Sequence, residues 1–312
     1  MQYRSVIDLN RGHQVFSTVK WILNLLLLAS PMVAGCVSFN SHKSDRQVAP
    51  EAACLSWFEG RHATKMTEPG VFFAPNPSLG CFDGTIERKD AGSGSLALAE
   101  WASGPEQTGK MLVIRSHGGD AEVALTIAED LQRQRSVVLA HELCASSCAN
   151  YLFSGVPHRE TTPNTLVLFH GGFSDQSRFR IESSLDRLYA EMGDKIPDPS
   201  ADRQRLLDTF DNNRMRQDTL LRGAGVDPAI IYAVDATDTA MLPAKLCGED
   251  TISSRNFVFF GDRDAARLGL AVSKGSLLND PVIVNRRISE LGRPFIACRL
   301  SFDEFTSLPK SR

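Results

Sequence analysis

Met111-Leu112-Val113-Ile114-Arg115-Ser116-His117-Gly118-Gly119-Asp120 is the stretch that decides how this chain is read. An apolar run, a strand by its pattern, ends in a pair of glycines. Ala121, Leu125, Ala128 and Leu131 then recur at three- and four-residue steps, the spacing of a helix with one apolar face. A second run, Val137-Val138-Leu139-Ala140, leads into Cys144-Ala145-Ser146-Ser147-Cys148 and an apolar segment over residues 149–153. A third, Thr165-Leu166-Val167-Leu168-Phe169, delivers His170-Gly171-Gly172. Strand, Gly pair, helix, strand, Ser, helix, strand, His is the order of a βαβ enzyme core, so the fold class is α/β. In such cores the loops leaving the carboxyl ends of the strands gather at one edge and form the site.

The residue types in those loops suggest acyl-transfer chemistry. A Ser hydroxyl needs a base within hydrogen-bond reach and donors for the oxyanion. Ser146 stands where a helix begins after the second strand, and backbone N–H groups there favour developing negative charge. His170, at the end of the next strand, is placed to take the Ser146 proton. Gly118 and Gly119 let the backbone approach a substrate, and their N–H groups form the expected oxyanion hole. They would also leave the adjacent strand edge open to an extended peptide. Each assignment has a plainer rival. Ser146 reads equally as a helix cap, and Ser147 competes for either role. His170 alone is a structural His, and Gly118-Gly119 alone a turn. His117 is a rival base beside the glycines. His141 and His158 read as loop residues.

The arrangement resembles the Clp-protease/crotonase superfamily. Ser116-His117-Gly118-Gly119 is similar to that family's strand ending in Ser-Pro-Gly-Gly, with His117 at the Pro position. Ser146 precedes Gly155 by nine residues and Arg159 precedes His170 by eleven, both steps of the Clp-type peptidases. The Cys-x-Ser-x-Cys form is similar to a periplasmic branch of the superfamily. The resemblance covers residues 81–172 well and 257–271 weakly. It implies a crotonase/Clp-protease-like ββα spiral core with a helical insertion, and a homo-oligomer. It also implies Ser146 and His170 as catalytic residues. Clp-type peptidases carry an Asp twelve residues before the Gly matching Gly269, and that position is Phe257 here. Asn256 beside it could orient His170, as an amide does in some Cys–His enzymes. Asp250, Asp262 or a bare Ser–His dyad are the alternatives, and no Lys suits a Ser–Lys dyad.

The chain's ends and charges set the context. Arg4, Arg11 and Lys20 precede a short apolar run over residues 21–30, which leads to Val33-Ala34-Gly35-Cys36. This resembles a bacterial lipoprotein signal, cleaved to leave a lipidated Cys36; the rival reading is an ordinary signal peptide or a membrane anchor with an incidental Cys. The expected location is periplasmic, on the outer membrane or else the inner one, since no Asp follows Cys36. Setting Cys36 aside leaves six of seven cysteines, an even number that suggests disulfides in an oxidising compartment. Cys144 and Cys148 could bridge across a sharp turn, but not well from one helix. No His at a usual step makes them a metal site, and no cofactor is implied. The 312 residues carry 34 Lys and Arg against 37 Asp and Glu, so no nucleic-acid partner is expected.

Residues 1–35 read as the signal, and 36–77 as a tether and irregular segment broken by prolines. The core follows at 78–173, then a helical insertion or arm at 174–235. Residues 236–312 form the last part of the core and a tail. The first functional reading is a lipid-anchored serine hydrolase, a peptidase acting on a peptide or protein. The second is a catalytically inactive envelope protein on the same fold that binds a peptide or protein partner. An acyl-thioester enzyme of the crotonase kind ranks last, because an acyl-CoA substrate fits an exported chain poorly.

Overall fold

The computed structural model describes residues 49–61, 68–88, 93–105, 109–192, 197–236, 244–247 and 255–307. Cys36 and Asp250 lie outside them. The described residues belong to one unit, Val48–Arg312. Its strands are β1 (Val71–Asn76), β2 (Leu79–Asp83), β3 (Met111–Ser116), β4 (Val137–Ala145), β5 (His158–Thr161), β6 (Leu166–Leu168), β7 (Arg255–Phe259) and β8 (Ile296–Arg299). Its helices are α1 (Ala52–Glu59), α2 (Gly94–Ser103), α3 (Ala121–Arg133), α4 (Asp175–Met192), α5 (Pro199–Gly223) and α6 (Ala229–Ala236). Four more follow: α7 (Ala244–Cys247), α8 (Asp262–Arg267), α9 (Pro281–Glu290) and α10 (Phe302–Ser307). A π-type turn of helix covers Cys148–Phe153.

The protein is α/β. The main sheet runs β1-β2-β3-β4-β5, with β6 also on β4; all its pairs are parallel except β1–β2 at the edge. Helices cover both faces, so β3 is apolar on both. Leu112 and Ile114 enter the main core with Leu98 of α2 and Leu125, Ile127 and Leu131 of α3. Val113, on the opposite face, joins Cys54 and Phe58 of α1. The segment read as irregular before residue 78 in fact holds α1 and β1. The Cys54–Cys81 disulfide ties α1 to β2, a link that local sequence does not reveal. Pro75 is tolerated because β1 is an edge strand.

β4 changes partners part-way. Val137–Ala140 pair with β5, then Leu143–Ala145 pair with β6. The register against β3 slips between Ile114↔Ala140 and Ser116↔Cys144, leaving two extra residues on β4. Glu142 in this bulge has φ +58° and accepts from Arg115 Nη1 at 2.8 Å. Arg115, buried, also grips both oxygens of Asp83 at 2.9 Å. The far half of β4 thereby joins a second layer with Phe257, Phe259, Val284 and Ile288. Phe169 and Val258 exchange backbone hydrogen bonds of 2.8 and 2.9 Å, which fixes β7 beside the end of β6.

Arg159 is fully buried and finds carbonyls rather than a carboxylate. Nη1 donates to Gly269 O at 2.8 Å, and Nη2 to Val156 O at 2.7 Å and Ala224 O at 3.0 Å. Burial pulls its pKa down to about 10. It thus ties β5 to the ends of α5 and α8. Arg159→Leu orphans three carbonyls at about 1–3 kcal/mol each, partly offset by relief of the buried charge. The expected net loss is about 3 kcal/mol, read from the urea midpoint.

The helical segment after residue 173 is present as α4, α5 and α6. Asp198 caps α5 by accepting from Ala201 N–H at 2.9 Å. Its buried face is Leu207, Phe210, Asn213, Gln217, Leu220 and Leu221, while Met215 is exposed. α4 buries none of its described side chains. It docks through polar pairs: Arg178–Asp211, Arg214–Asp175, Arg203–Asp186, and Tyr189 Oη donating to Asp202. No helix among the described residues is long and apolar enough to cross a membrane.

Candidate active site

Ser146 joins β4 to the π-type turn in a left-handed conformation, φ +56°. A non-glycine residue there costs about 1–3 kcal/mol, so its surroundings must hold it. Ser146 N–H donates to Leu168 O at 2.9 Å, and Ser146 O accepts from Asn150 N–H at 2.8 Å. Cys144 and Cys148 form a disulfide across the turn, Cα–Cα 5.3 Å. The bridge that sequence left open is made, because the left-handed residue between the two cysteines folds the chain back. Cys247–Cys298 completes three pairs. Ser146 is half-buried and reachable, whereas Ser147 is buried with a hydroxyl that has no partner among the described residues. That separates the two candidates: the accessible hydroxyl is Ser146.

His170 lies across a cavity of about 450 Å³ whose wall includes Ser146, Ser147, Asn150 and Gly119. Among the described residues no hydrogen bond joins Ser146 to His170; uncomplexed sites often close such contacts only on binding. Asn150 Nδ2 donates to His170 O at 3.0 Å and Gly171 O at 2.8 Å, pinning the loop that carries the imidazole. Phe257, at the position of the Asp in the peptidases this chain resembles, stands edge-on to the imidazole, 4.7 Å between ring centres. Asn256 lies in β7, and its side chain is outside the described residues. Asp262 Oδ1 accepts from Leu277 N–H, so it is engaged at the start of α8. Burial lowers the His170 pKa most; Asp235 raises it and Arg180 lowers it further. Because the residue is exposed on its open side, solvent limits the depression.

The glycines divide their work differently from the sequence reading. Gly118 N–H donates to Ser116 Oγ at 3.0 Å, so it is spent inside the turn. The role of Gly118 is space: a Cβ there would stand 2.6 Å from both Ala145 O and Ser146 Cβ. Gly119 N–H and Ser147 N–H have no acceptor among the described residues, and both residues line the cavity. Two N–H groups with no acceptor among the described residues therefore stand at the cavity, where Gly118 N–H is already taken. The strand edge expected to be open is met by Ile86, whose N–H donates to Gly118 O at 2.8 Å and whose O accepts from Asp120 N–H at 2.7 Å.

His117, the rival base, pairs with Thr85 Oγ1 at 2.8 Å and does not line the cavity. His141 bonds Thr162 at 3.0 Å against the Phe58 ring, and His158 is exposed. A broader cleft of about 600 Å³ lies between α3 and α5, but Arg205 and Arg216 there are paired with Asp202 and Glu129. It holds no nucleophile–base pair. Among the described residues no cluster of His, Cys, Asp or Glu is arranged to hold a metal.

No protein-family model and no curated protein matches the chain. The site therefore rests on its own geometry. Sequence reading missed the cavity's outer wall. Tyr151 Oη donates to Gln217, which holds Phe173 through both its N–H and O, 3.0 and 3.1 Å. Phe173 in turn packs on Phe210, and α4 adds Arg180, Ile181 and Leu185. Helical spacing marked these elements, but nothing local said which of their residues would face Ser146.

Proposed function

We propose that this protein is a serine hydrolase of the cell envelope, a peptidase, on a Clp/crotonase-like core. Ser146 is the nucleophile, His170 the base, and Gly119 and Ser147 supply the oxyanion N–H groups. One observation carries the reading. Of the four non-glycine residues with positive φ among the described residues, Ser146 alone lines the cavity. A strained Ser on a strand-to-helix turn is how unrelated hydrolases expose a nucleophile above a sheet. Aromatic walls and two unpaired N–H groups suit an apolar peptide segment. Fluorophosphonate labelling mapped to Ser146, with turnover of an unstructured protein such as casein, is the test. Folded protein that takes no label would favour the inactive, peptide-binding reading.

The anchor belongs to the same proposal. Three disulfides are compatible with an extracytoplasmic location. The Val-Ala-Gly-Cys order supports a periplasmic chain, lipid-anchored through Cys36. Palmitate label is expected in wild type and lost in Cys36→Ser; equal label in both would reject the anchor.

A further inference from the structure

We infer that Asp235 is the positioning residue for His170, a carboxylate supplied by α6 rather than by the strand beside the imidazole. The inference rests on His170 as the base proposed above. Its geometry begins with the two glycines after the imidazole. Gly172, at φ +151°, has no room for a side chain, because a Cβ would run into Ile231 of α6. Gly171, at φ +54°, brings the turn so close to α6 that a Cβ on it would stand 3.8 Å from Asp235 Oδ1. Ile231 and Asp235 are one helical step of four apart, so a single face of α6 abuts the His170-Gly171-Gly172 turn. The Asp235 side chain is only 4% exposed. Oδ2 accepts from the Ser174 hydroxyl and from Ser177 Oγ at 2.8 Å, and Oδ1 from Arg180 Nη2 at 2.5 Å. Three donors fix a buried carboxylate against the turn that carries the base.

Among the described residues, the charges around His170 come from two elements. α6 contributes Asp235 and α4 contributes Arg180, while β7 contributes the uncharged Phe257. Asp235 favours the imidazolium that forms when Ser146 gives up its proton, and Arg180 opposes it. The pair therefore sets the basicity of His170 in opposite directions.

The experiment is an NMR titration of the His170 ring, assigned by the signal absent in His170→Ala. It is run alongside the pH dependence of fluorophosphonate labelling. Asp235→Asn should titrate at lower pH than wild type, and Arg180→Gln at higher pH. Asp235→Asn should also label roughly 10–100-fold more slowly on its plateau, a smaller loss than for an Asp bonded directly to imidazole. Asp235→Glu should regain part of both effects. A merely structural Asp235 would slow labelling without moving the titration. An unmoved His170 titration in folded Asp235→Asn overturns the inference, even if wild type labels well. Should Asp235→Asn fail to fold, an unmoved titration in Arg180→Gln overturns it. Wild type that takes no label sinks the hydrolase reading, and the titration still decides the Asp235–His170 link.

Discussion

Ser146→Ala, His170→Ala and the double variant should hydrolyse substrate at one common residual rate, roughly 10⁴–10⁶-fold below wild type. In the proposed mechanism the two side chains act as a unit: without the base the hydroxyl stays protonated, and without the hydroxyl the base has nothing to activate. What survives in each is the pair of N–H groups at Gly119 and Ser147, together with the cavity wall. All three proteins should stay folded, because Ser146 is only half-buried and His170 is exposed at the cavity, so neither truncation empties the core. The pH profile has a worked sign. His170 must be neutral to act as a base, and its pKa is held below the ordinary value, about 6.5 for imidazole. Activity should therefore persist to lower pH than a free imidazole would allow. Additive losses in the double variant, or unchanged turnover in either single one, would reject the pair.

Cys144→Ala/Cys148→Ala should cost much activity and little stability. By loop-closure entropy, a bridge spanning four residues contributes about 2 kcal/mol. The bridge spanning 27 residues, Cys54–Cys81, contributes about 3–4 kcal/mol by the same rule. Stability is thus a weak reason for the shorter bridge, and its place is a stronger one. It closes around a Ser whose φ of +56° relaxes if the turn loosens. Misplacing a nucleophile by about 1 Å can cost on the order of 10²-fold. The Ser146 labelling rate should fall by about that factor while the thermal midpoint moves little. Cys54→Ala/Cys81→Ala should do the reverse, lowering the midpoint more and leaving labelling intact, since that pair sits in the cluster around α1. Equal labelling in both double variants would mean that backbone bonds to Leu168 and from Asn150 suffice to hold the elbow.

Periodicity and order were enough to read much of this chain. β3, α3, β4 and β6 are local patterns, and a parallel sheet buried on both faces leaves continuous apolar runs that any neighbour would demand. The helical segment over residues 174–235 was legible too, and Asp198-Pro199 starts α5 with its own cap. Placing Ser146 and His170 on one cavity followed from strand order alone. Tertiary structure decided what those residues can do. Nothing in Ala145-Ser146-Ser147 announces a left-handed Ser, because the strain is local while its support comes from Leu168, Asn150 and a disulfide. Gly118 looked like an oxyanion donor, yet a hydroxyl two residues back takes its N–H, while the Gly119 N–H has no acceptor among the described residues. Asp235 was invisible as a partner for His170, being 65 positions away along the chain. Which cysteines pair, which face of α5 is buried and which carboxylate stands behind the imidazole are long-range contacts. They depend on how the helices close over the sheet, and spacing along a chain carries no record of that.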